Sequence, residues 1–170
     1  MNIHGHGTYV YTIPIYLPND SNSIIHILHK TFSFMKNLYA NNNMSWPNIL
    51  LAQVNILIYL TQMDNCGREN KNRYVFSYFS YLVQCGLFKE IRYSFLSVGH
   101  THFDPDATTK LITQEISGIN VITIEDLHES IKKSVKNLLH IEHVLGFPDF
   151  SKLTKTEGFC NGLVGNILFY

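Results

Sequence analysis

No C-x-x-C pair occurs in this sequence, and its three cysteines, Cys66, Cys85 and Cys160, are odd in number and widely spaced. That excludes a paired-thiol zinc knuckle or redox motif and fits a reducing compartment, with the thiols expected as small core or near-core groups. An excess of either charge is also missing: 13 Lys and Arg face 13 Asp and Glu. No overall field draws the surface to nucleic acid or to an anionic membrane, so any such binding has to come from a local patch. The start, MNIHGHGTYVY, lacks the basic-then-apolar order of a secretory signal. The longest apolar run, 49–60, is interrupted by Gln53 and Asn55 and falls short of the ~20 residues a spanning helix needs. Internal repeats, low-complexity tracts and a Lys/Arg import cluster are absent. These absences lead us to expect a soluble intracellular chain without a membrane partner, nuclear if it acts on DNA.

With 170 residues, 45% of them hydrophobic, the chain is long enough to bury one ordinary core. We expect one domain over 1–150, followed by an irregular segment, 151–170, that ends on apolar residues as though truncated. Residues 8–17 are β-branched and aromatic but broken by Pro14, the mark of an edge strand or hairpin arm. Possible N-caps at 20–23 precede apolar residues Ile24, Leu28, Phe32, Met35 and Tyr39 at helical spacing, which the Asn41–Asn43 run ends.

The run ILIYLTQM, 56–63, has the length and continuity of a central strand covered on both faces, and it stops at Asp64 and Asn65. A helix is predicted over 68–85, with Tyr74, Tyr78, Leu82 and Cys85 on one face, Gly86 at C′, and Glu69 spaced to pair with Arg73. IRYSFLSV, 91–98, alternates like a strand and runs into a turn-rich loop, GHTHFDPD, 99–106. Strand, helix and strand in that order predict a βαβ unit with parallel strands whose carboxyl ends point the same way. Asp64 and the 100–106 loop are then expected at one sheet edge, where sites in open α/β sheets usually sit. Farther on, Thr123 and Asp126 form a T-x-x-D capping box ahead of a helix carrying Leu127, Ile131, Val135 and Leu138.

Two polar clusters carry the candidate chemistry. In the first, Asn65, Arg68, Asn70, Lys71, Asn72 and Arg73 gather at a helix start, a position that attracts phosphate; the plain reading is a solvated first turn with Asp64 and Asn65 as caps. In the second, His100, His102 and Asp104 stand at alternate positions, an H-x-H-x-D metal cluster that Cys66 would complete as a structural zinc site; the plain reading is a turn.

The strings QMDNCGRENKNR at 62–73 and FLSVGHTHFDPD at 95–106 resemble an uncharacterised family of transposon-derived domains related to ribonuclease-H-like, integrase-type transposases, over residues 5 to about 150. The resemblance implies an α/β, ribonuclease-H-like mixed sheet with flanking helices. It also implies an enzyme in which clustered acids hold two Mg²⁺ or Mn²⁺ ions ~4 Å apart for in-line attack on a phosphodiester. On that basis Asp64 is the fourth-strand acid, Asp104 or Asp106 the last acid, and His100 and His102 additional ligands or proton carriers.

The sequence departs from the pattern: the strand with the first acid would precede Met1, and Phe103 and Pro105 stand where an acid and an aliphatic residue are expected. The expectation is a partial domain, inactive as encoded. A non-catalytic relic or domesticated binding module and a structural zinc module are the alternatives.

Overall fold

The computed structural model describes residues 1–3, 7–41, 58–63, 66–95, 104–150 and 152. Within these the chain is mixed α/β, with four helices and two small sheets, and it divides into two compact units. The first comprises residues 1–17 and 99–146, the second 18–98 and 147–170.

In the first unit, β1 (Asn2–Ile3) pairs antiparallel with β2 (Gly7–Thr12), which pairs in parallel with β5 (Leu138–His143). β2 is therefore one arm of a hairpin, as expected, but it is the central strand of three rather than an edge. It can be central because it ends at Thr12, so Pro14, which has no N–H to give a neighbour, lies outside the ladder. Gly7 opens the strand at φ +147°, where a Cβ would stand 2.6 Å from the Asn137 carbonyl oxygen. That oxygen accepts the Thr8 N–H at 2.7 Å, so only a residue without a side chain permits this approach.

Two helices complete the first unit. α3 (Asp104–Ile116) occupies sequence expected to be partly loop, with Asp104 and Pro105 at its first positions, where a proline's missing N–H costs nothing. α4 (Ile124–Ser134) has the predicted capping box: Thr123 Oγ1 accepts the Asp126 N–H at 3.1 Å, and the Asp126 carboxylate accepts the Thr123 N–H at 3.0 Å. The Thr123 N–H is the first cause that holds the Asp126 carboxyl below its ordinary pKa. α4 ends earlier than the spacing suggests, because Val135 turns to an extended backbone and Leu138 begins β5. Tyr9, Ile131, Val135 and Val144 are buried here.

In the second unit, α1 (Ser21–Asn41) starts where the Asp20 carboxylate accepts the N–H groups of Asn22 at 2.9 Å and Ser23 at 3.3 Å. It buries Ile25, Leu28, Phe32 and Met35. β3 (Ile58–Met63), α2 (Arg73–Gln84) and β4 (Glu90–Phe95) form the predicted βαβ unit, with β3 and β4 parallel and Met63 in register with Phe95. Among the described residues β3 has a partner on one edge, where a central strand would have two.

α2 buries Val75, Ser77, Tyr78, Phe79 and Leu82, and it closes as a Schellman turn: Leu87 N–H donates to Leu82 O and Gly86 N–H to Val83 O, each at 3.0 Å. Gly86 takes the left-handed φ of +70°. Cys85 is the exposed C-cap, not a core thiol. Edge-to-face rings tie the layers, Phe32 to Phe88 at 5.3 Å and Phe79 to Tyr93 at 5.1 Å. The Phe150 N–H donates to the Asn22 amide oxygen at 3.0 Å.

Candidate functional site

The segment from Cys66 to Arg73 leads into α2 beside the carboxyl ends of β3 and β4, and it is a set of turns where a helix from Arg68 was expected. The reason is Asn72. Its extended backbone (φ −147°, ψ 165°) and its Oδ1, which accepts the N–H groups of Tyr74 at 3.1 Å and Val75 at 3.2 Å, make it the N-cap. Its amide nitrogen faces back, 3.2 Å from each of the carbonyl oxygens of Gly67, Arg68 and Glu69. One side chain thus joins the loop to the helix. Capping by Asp64 or Asn65, the plain expectation, is replaced by this residue.

Two further anchors hold the loop. The Cys66 carbonyl accepts the N–H groups of Asn70 at 2.9 Å and Lys71 at 3.0 Å. The buried Tyr93 hydroxyl donates to the Asn70 carbonyl at 2.8 Å and lies 3.1 Å from Met63 Sδ. Asn70 itself is buried. Asn70 and Asn72 are therefore committed to structure, while the side chains that project from the segment are Arg68, Lys71 and Arg73.

These cations lie on a fixed backbone. Arg68 is 72% exposed, and at 3.5 Å from Glu69 it makes a loose surface pair. Glu69 was expected to pair with Arg73, but residues 69–72 are not helical and their side chains do not follow helical spacing. Lys71 Nζ stands 5.1 Å from the centre of the Phe95 ring. The Arg73 guanidinium lies 5.0 Å from the centre of the Tyr74 ring and donates to the Tyr74 hydroxyl at 3.0 Å. Both charges rest on aromatic faces, which limits their freedom. Within 66–73 the sequence carries three cations and one anion, next to the start of α2.

The sequence picked out the cations and missed their platforms, Phe95 and Tyr74, and the anchor Tyr93. The alternation of β4 was the available signal, since Tyr93 and Phe95 fall two apart and share a face.

The other candidates stand differently. Asp64, Asn65, His100 and His102 lie outside the described residues. Asp104 is described in its backbone alone, at the start of α3, and Asp106 is exposed in the first turn of that helix rather than in a loop. Among the described residues no three His, Cys, Asp or Glu side chains gather in a way that would hold a metal ion. None of the described helices is long and apolar enough to cross a membrane.

Over residues 1–161 the sequence matches the model of a family described as Domain of unknown function (DUF7869). No curated protein and no solved structure matches.

Proposed function

The chain belongs to the DUF7869 family, and from that premise we propose that it is a nucleic-acid-binding module on a transposon-derived, ribonuclease-H-like scaffold, gripping phosphates with Arg68, Lys71 and Arg73. The observation that carries this reading is the loop itself. Backbone and Asn72 bonds fix its path, and its three cations project at the carboxyl end of a parallel βαβ unit. Phosphate contact by such groups is sequence-independent and salt-sensitive. In a eukaryote, work on DNA would place the chain in the nucleus.

The test is anisotropy of labelled single-stranded and duplex DNA and RNA across a salt series. Each of Arg68→Ala, Lys71→Ala and Arg73→Ala should weaken binding and lower the salt slope by about 0.7 to 0.9. An unchanged slope in the triple variant refutes the proposal. The same strands incubated with Mn²⁺ or Mg²⁺ examine the hydrolytic activity that the family resemblance implies. Cleavage lost in Asp64→Asn would extend the proposal from binding to phosphodiester chemistry.

A further inference from the structure

The first unit holds a cluster that nucleic-acid binding does not use. β2 and β5 run parallel and end together, with Thr12 and His143 as register partners, and α4 brings His128 to the same point. Thr12 Oγ1 lies 3.0 Å from His128 Nε2 and 3.0 Å from His143 Nδ1. A single hydroxyl therefore stands between two ring nitrogens, accepting from one imidazole and donating to the other when both are neutral. The hydroxyl also has a second acceptor in reach, the Glu142 carbonyl at 3.4 Å.

The geometry points to a binding site for a borderline-soft divalent cation such as Zn²⁺, Ni²⁺ or Cu²⁺, held by His128 Nε2 and His143 Nδ1, with the Thr12 hydroxyl turning to the Glu142 carbonyl as the ion enters. The two nitrogens already converge on one oxygen, with ring centres 6.5 Å apart. Two imidazoles bound to one ion at 2.0–2.1 Å have ring centres roughly 5 to 6 Å apart, so a shift of about 1 Å at His128 closes the site.

The chemistry of the surroundings agrees. Imidazole binds a metal in its neutral form. The Glu129 carboxylate on the same helix takes up the Lys132 ammonium at 2.7 Å. Nitrogen ligands select against Mg²⁺ and Ca²⁺, which require oxygen. With two protein ligands, solvent completes the coordination, and the site sits where the carboxyl ends of parallel strands commonly hold ligands.

The experiment titrates the full chain with Zn²⁺ and with Ni²⁺, reading heat and the imidazole nitrogen signals of the unsubstituted protein. Zn²⁺ should shift, and Ni²⁺ should broaden, the signals of His128 and His143 before those of the other histidines. His128→Ala and His143→Ala should each weaken that phase by more than roughly tenfold. Thr12→Ala should retain it, because the hydroxyl gives way and is not a ligand. Imidazole signals of His128 and His143 that stay unmoved when other histidines respond, or a phase equally strong in both histidine variants, overturns the site. Loss of binding in Thr12→Ala overturns the displacement geometry on which it rests.

Discussion

Replacing Asn72 separates the two tasks that its side chain performs. Asn72→Ala removes the acceptor for the Tyr74 and Val75 N–H groups and the donors to the carbonyls of Gly67, Arg68 and Glu69. Loss of an N-cap costs about 1 kcal/mol. An amide carries two hydrogens, so at most two of the three donor contacts are full bonds. At 3.2 Å they are long, and each is worth about 0.5 kcal/mol. The total is about 2 kcal/mol, or a urea midpoint lowered by about 1 M.

Asn72→Asp keeps the acceptor and favours the helix dipole, but it turns an oxygen toward three carbonyl oxygens. Its expected loss is about 1 kcal/mol, between the native chain and the alanine variant, although aspartate caps helices as well as asparagine does. Urea unfolding followed by circular dichroism orders the three proteins. Hydrogen exchange at Tyr74 and Val75 gives the local check, with protection lost in alanine and kept in aspartate. Native-like stability in Asn72→Asp would refute the donor half of the reasoning, and native-like exchange in Asn72→Ala would refute the cap.

Two other substitutions or conditions probe the first unit. Gly7→Ala puts a methyl group 2.6 Å from a carbonyl oxygen that is itself bonded to Thr8, at a φ of +147°. It should cost about 2–4 kcal/mol in urea unfolding, and a loss under about 0.5 kcal/mol would mean the backbone relaxes there. His128 has a folded pKa below its ordinary value, chiefly from burial. The unfolded chain therefore takes up the proton first, and stability falls as pH drops below about 6.5 and stops falling below the folded pKa. His128→Ala should flatten that slope in unfolding curves between pH 7 and pH 5, and an unchanged slope would assign it to another histidine.

The βαβ unit was legible in the sequence because its signals are local and agree with one another. ILIYLTQM has the length and continuous apolar character of a strand, the apolar face of α2 recurs at helical spacing, and Gly86 marks its end. The capping box at Thr123 and Asp126 was equally plain. What failed was punctuation. Asn72 looked like a poor helix residue and is the cap, which moved the start of α2 by five residues and changed which cations share a face.

Asp104 and Pro105 read as turn chemistry, though the same pair also serves as a helix start, and only packing decides between the two. Leu138 continued the helical spacing of Ile131 and Val135, so β5 was hidden behind α4. Its alternating histidine and glutamate do not resemble a covered strand. The pairing of β2 with β5 joins distant segments, which no local pattern reveals. The cations of the candidate interface were visible from composition, whereas the rings beneath them depended on knowing that β4 ends in register with β3.

The parallel pairing of β2 with β5 also sets an order of events during synthesis. Thr12 and His143 are 131 residues apart, so at ribosomal speeds β2 waits on the order of ten seconds for its partner. During that time Tyr9, later buried, has no β5 to lie beside. The second unit, whose strands and crossover helix lie close together in sequence, has all of α1, β3, α2 and β4 in hand before β5 is translated. β2 is therefore translated well before the partner that completes its sheet, and the edge it later gives to β5 stays open through that interval.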